Sequence, residues 1–137
     1  MANLASVQIG GVSVIGSLKG GALVDSNATG TGSPTITDLG EYRYHHYTGS
    51  GNFVMNSAGY VEMLIIGGGG GASEDNSGGA GAGGFLHRAL DLSAATYAVA
   101  VGGYGSGGIS NSAKGGTSVV SIISNGTAHG GGGANSD

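Results

Sequence analysis

Several groups of residues in this chain have types and spacing that could do chemistry. Gly79, Gly81 and Gly84 satisfy Gly-x-Gly-x-x-Gly, the spacing of a backbone cradle for a dinucleotide pyrophosphate. That cradle needs a strand just before it, a helix just after it, and an acidic residue about twenty positions on. Here EDNSG precedes, the following segment turns into strand pattern, and no acid stands near 100–106. Lys114 is followed by Gly115 rather than by Ser or Thr, so a phosphate loop is not supported either.

His45 and His46 sit among Tyr42, Tyr44 and Tyr47. Adjacent residues of a strand point to opposite faces, so the pair cannot chelate one metal from regular strand. His87 and His129 could join one of them only through the fold. Glu74 and Asp75 are neighbours without a second pair at calcium-loop spacing, and the glycine runs lack aspartates in register. Asn27-Ala28-Thr29 and Asn125-Gly126-Thr127 have glycosylation spacing but no legible export signal beside them. No serine, histidine and aspartate stand in a nucleophile-elbow context. The expectation is a non-enzyme with no catalytic residues, no cofactor and no metal site. Two alternatives remain for the histidines: packing, or an exposed face of Tyr42, Tyr44 and His46 that contacts a receptor, a sugar or a neighbouring subunit.

Composition narrows the partners. Net charge is -4 with 9% charged residues, and the four cations, Lys19, Arg43, Arg88 and Lys114, are scattered. Binding to nucleic acid or to an anionic membrane needs clustered cations, so neither is expected. No apolar run approaches the length of a bilayer span, so membrane insertion is not expected. Cysteine is absent, which leaves the redox compartment open. Glycine is the anomaly, at 33 residues against one proline. Leu, Ile, Val and Phe make up only about a fifth of the chain, thin for an isolated core. Ordering so much glycine is entropically expensive, so further copies of the chain are the expected source of extra burial.

The elements follow from alternation. Residues 5–24 carry short β-branched runs punctuated by Gly10-Gly11 and Gly20-Gly21, which predicts two or three short strands. DSNATGTGSP (25–34) has turn chemistry and marks the boundary between an arm with its linker (1–40) and a main domain (41–137). Residues 41–47, 53–55 and 60–66 predict three strands joined by TGSG and NSAG turns. Apolar residues on both faces make 60–66 a central strand. FLHRALDL (85–92) has the look of a short helix, whereas Tyr97, Val99 and Val101 alternate as a strand, and TSVVSII (117–123) follows as another. No segment keeps a helical period for three turns, so the chain is expected to be all-β with glycine-rich insertions.

The glycine runs do not have a collagen period. Each adjoins a strand, which favours extended polyproline-II-like segments satisfying one another's backbone groups over a slack linker. On this basis 67–84 is expected to pair with 102–108 and 130–133.

Gly51-Asn52-Phe53, Val61 to Gly71, Tyr97 to Gly103, and Gly115 to Gly133 together resemble the glycine-rich domain of bacteriophage tail-fibre and other virion proteins. The resemblance covers about 44–133. It implies a jelly-roll-like β-sandwich with packed polyglycine-II-like loops, built for structure or adhesion. It also implies localisation in the virion, other virion proteins as partners, a homo-oligomer with a trimer favoured, and a host surface receptor as a further partner. The family pattern continues past its last glycine run into an apolar strand, whereas this sequence ends at GGGGANSD, so another segment is expected to fill that edge in cis or in trans. The N-terminal β arm is the candidate, with Val7, Ile9, Val12, Val14 and Ile15 as candidate particle-attachment residues. The expected function is a fibre or surface-appendage protein with this arm on the particle and the glycine-rich domain displayed. Alternatives are a capsid-decorating or head-fibre protein, an extracellular adhesin or matrix protein, and a small-ligand binding module.

Overall fold

In a computed structural model the described residues are 4–9, 14–17, 28–39, 42–73, 79–108, 112–120 and 125–134. They form eleven strands and no helix: β1 (Leu4–Ile9), β2 (Val14–Ser17), β3 (Thr29–Thr31), β4 (Thr35–Leu39), β5 (Tyr42–Tyr47), β6 (Gly51–Met55), β7 (Gly59–Ile66), β8 (Phe85–Leu92), β9 (Ala95–Ala100), β10 (Ser118–Val120) and β11 (Thr127–Ala128).

Two sheets result. The first contains β1, β2, β4, β5, β7 and β8; the second runs β11-β10-β9-β6-β3. The second is antiparallel throughout. The first is mixed, because β1 runs parallel to both β5 and β7 while the other pairs are antiparallel. A single core lies between the sheets. The first contributes Tyr47, Val61, Met63, Ile65 and Leu92, and the second contributes Phe53, Met55, Tyr97, Val99, Val120 and Ala128. The molecule is all-β, as the alternation predicts, and its two sheets face each other as in the sandwich that the resemblance implies. Fully burying one such aliphatic or aromatic side chain stabilises by about 1.5–3 kcal/mol.

Strand β7 shows how pattern becomes position. Val61, Met63 and Ile65 are buried, and the alternate Glu62, Leu64 and Ile66 are half-buried on the opposite face. It lies inside its sheet, with β8 on one edge and the N-terminal strands on the other. In β5 the inward residues are His45 and Tyr47, both without exposed surface. The Tyr47 hydroxyl donates to the Asn52 carbonyl at 2.7 Å, and burial pushes its ionisation well above the usual phenol range.

Three segments differ from the sequence expectation. FLHRALDL forms β8, because all eight of its residues register against β7, and sheet pairing outweighs local helical character. The stretch 28–31, expected as turn or linker, enters the second sheet: Ala28 is buried in the core, and Thr29–Thr31 pair with Val54–Asn52. The chain then turns through Gly32, whose φ of +85° and contact with the Ser50 carbonyl exclude a side chain. Thr127–Ala128, read as part of a glycine run, adds β11 to β10. Strand β4 continues from this turn into a hairpin with β5, so residues on both sides of the expected boundary at 40 share a sheet.

Candidate functional site: a bundle of glycine segments

Five strands deliver glycine segments to one end of the sandwich. Ile66 is paired with Phe85, so the segment leaving β7 (67–71) and the one entering β8 (79–84) start side by side. Val119 is paired with Ala100, and Ser118 with Ala128, which brings 102–108, 112–116 and 129–134 together in the same way. The two sets meet and bond.

Segment 67–71 is the centre. Gly67 and Gly70 donate to the carbonyls of Gly84 and Gly81, at 2.8 and 2.9 Å. Gly68 and Gly71 donate to Gly116 and Ala113, each at 2.9 Å. The Gly68, Gly69 and Gly71 carbonyls accept from the amides of Gly131, Gly105 and Ala134. Three of the four neighbours are therefore met again three residues later, and 102–108 is met once, at Gly69; three residues is the period of a polyproline-II-type helix, which has no internal hydrogen bonds. The four surrounding segments also bond to one another. Gly81 and Gly84 donate to Gly132 and His129, Gly115 to Gly131, and Gly116 and Ala113 to Gly103 and Ser106. Directions alternate around the centre, and Ser73 bridges Gly108 in parallel beyond it.

Close approach explains the glycine. A β-carbon at Gly68 would strike the Gly103 carbonyl oxygen, and one at Gly70 the Gly132 carbonyl oxygen. Gly69 and Gly132, by contrast, face open space. The expected packed polyglycine segments are present, and the bond partners of 67–71 include both 102–108 and 129–134. The dinucleotide-like spacing is absorbed here too. The amides of Gly81 and Gly84 are committed to carbonyls, and a strand, not a helix, follows them.

Tyr44 and His46 are half-buried on the face of β5 opposite His45 and Tyr47, and for Tyr42 the backbone alone is described, in register with Leu4 and Leu39. The backbones of Val7 and Ile9 lie in β1 and those of Val14 and Ile15 in β2; Val12 lies outside the described residues. The four histidines do not converge: His87 Nε2 is 2.6 Å from Glu62 Oε1, and His45 is buried. Among the described residues, no three His, Cys, Asp or Glu side chains gather as a metal site. Two exposed aromatics escape the sequence reading. Tyr104, on the outside of segment 102–108, is 88% exposed, and Phe85, where the bundle joins β8, is 68% exposed. Their signal was present, an aromatic interrupting or bounding a glycine run, but exposure depends on the bundle.

Among the described residues, burial sets the one strongly displaced ionisation near neutrality. Enclosure first, and the Arg43 guanidinium second, bring the His45 pKa from 6.5 down to about 4, with Asp38 opposing the change. Asp38 accepts two hydrogen bonds from Arg43, at 2.8 and 3.0 Å, which hold its carboxyl below the usual range.

The glycine-rich domain family matches residues 46–137, from the end of β5 through the last glycine segment. The chain belongs to this family, and the match takes in every segment of the bundle. Comparison with curated proteins and with solved structures gives no match.

Proposed function

We propose that the chain is a virion structural protein of a bacteriophage, of the fibre or surface-appendage type. The N-terminal strands attach it to the particle, as a homo-oligomer, and the glycine bundle is the displayed end. One observation carries this reading: the glycine-rich half of the domain is a cross-bonded bundle held chiefly by backbone hydrogen bonds, with the Ser112 hydroxyl adding one to the Ala134 carbonyl. Such a bundle serves as a rigid spacer and a mount for exposed loops, and offers few side chains for catalysis. Its outer aromatic, Tyr104, is suited to contact with a host surface. Mass spectrometry of gradient-purified particles tests the assignment, with antibody labelling in electron microscopy to separate tail from head. Stoichiometric peptides of the chain in the particle are expected. Their absence overturns it, and labelling of a host surface would instead support the adhesin alternative.

A further inference from the structure

Strands β1 and β2 are registered against the same residues. Val7 of β1 lies opposite His45 of β5 and Met63 of β7. Val14 of β2 lies opposite the same two residues. The outer edge of β5 is taken by β4, and the far edge of β7 by β8 along its whole length. The two N-terminal strands therefore address one gap, between the facing edges of β5 and β7. Strands pair at about 4.8 Å, so a gap that β1 bridges to both sides is one strand wide. It admits one backbone at a time with full pairing. The sequence carries the same duplication, in Ser6-Val7-Gln8-Ile9-Gly10 and Ser13-Val14-Ile15-Gly16.

We propose that this gap is an acceptor for one strand, that β2 fills it within its own molecule, and that β1 fills the gap of a second copy of this chain. The occupant follows from the pairing the gap requires, from the register of β1, and from the identity of the copies. Left empty, the gap would expose unpaired N–H and C=O groups on two facing edges in mid-sheet. Strand β1 satisfies both, registering Leu4–Ile9 along β5 and Ser6–Ile9 along β7. A second copy of the chain necessarily presents the same gap to the surplus strand. The linker then sets the geometry. Ile9 and Val14 are about five residues apart, a reach of at most about 18 Å. Donor and acceptor gaps must therefore lie close together, which gathers them around a common axis. Head-to-tail exchange of this kind closes into a ring when the rotation allows. The proposal deepens the oligomer part of the function above, and it stands whether or not the chain is carried on a particle.

The natural chain has no cysteine, so a pair can be introduced cleanly. Gln8→Cys combined with Leu64→Cys places thiols at registered positions of β1 and β7. Oxidation of the full-length double variant should give disulfide-linked multimers on a non-reducing gel. Co-refolding the two single variants should give a mixed cross-linked dimer. Cross-links confined to monomers, or none at all, overturn the proposal. Deleting 1–9 should convert the oligomer to a monomer in sedimentation at micromolar concentration, and an unchanged oligomer also overturns it. Should the deletion variant fail to fold, the full-length cysteine pair still decides.

Discussion

The His45 ring stands edge-on to Phe53, with centroids 5.4 Å apart and planes 77° from parallel. His45 comes from the first sheet and Phe53 from the second, so this contact ties the two layers across the core. Both ring nitrogens of His45 are buried without a hydrogen-bond partner. Burying such groups is unfavourable, and burying the imidazolium far more so.

Acid should therefore loosen the sandwich over a defined window. The His45 pKa is about 4 in the folded chain and 6.5 when free, so the unfolded state binds the extra proton first. Stability contributed by this group is full above pH 6.5 and falls as pH drops towards 4. One proton corresponds to about 1.4 kcal/mol per pH unit, or about 3 kcal/mol across the window. Denaturant melts at half-unit steps check this. A flat profile between pH 6.5 and 4 would show that His45 takes up its proton without unfolding.

His45→Leu replaces the ring with an apolar side chain of similar volume and removes both unsatisfied nitrogens. It should raise stability at pH 7 by about 1–2 kcal/mol. It should also flatten the acid window described above. Destabilisation with the pH slope retained would mean that another group carries the slope.

Neighbouring glycines in the central segment should respond oppositely to the same change. Gly68→Ala drives a methyl into the Gly103 carbonyl and endangers the bond from Gly68 to Gly116. It should cost at least about 2 kcal/mol, in the range of overpacking. Gly69→Ala meets open space and restricts the unfolded chain, so it should be neutral or stabilising by up to about 1 kcal/mol. Equal effects in equilibrium melts would mean that the segment lacks a fixed three-residue register.

Much of this architecture is legible in the sequence, and the illegible parts share a physical cause. Alternation marks β7 and β9, because their buried residues recur every second position. It splits β5 into two faces but not which is inward; that choice depends on what stands across the core, here Phe53 against His45. Strands β3 and β11 are too short to show alternation, and they become strands through pairing with β6 and β10. The glycine runs signal order through low charge and adjacency to strands. Their pairing, such as Gly68 with Gly116, is set by which strand ends the sheets bring together.

Amide exchange checks that order directly. Gly67, Gly68, Gly70 and Gly71 each donate to a backbone carbonyl of a neighbouring segment. Their amides should exchange far more slowly than in a free peptide, and should open together with 112–116 as one cooperative unit. Free-peptide rates across 67–71 would rule out the bundle in solution.

Tyr104 separates display from folding. Its side chain is 88% exposed, while the next residue anchors the segment through the bond from Gly105 to the Gly69 carbonyl. An aromatic so placed adds almost nothing to burial, so Tyr104→Ser should change stability by no more than about 0.5 kcal/mol. If the bundle is the surface that meets a host, purified protein should compete with particle adsorption, and this variant should compete several-fold less well. Tyr44→Ser with His46→Ser, on the outer face of β5, is the comparison. Competition that survives Tyr104→Ser but falls with the β5 variant moves the contact from the bundle to the sheet. Competition unaffected by either, in protein that still melts cooperatively, removes both surfaces as contacts and leaves the bundle as a spacer.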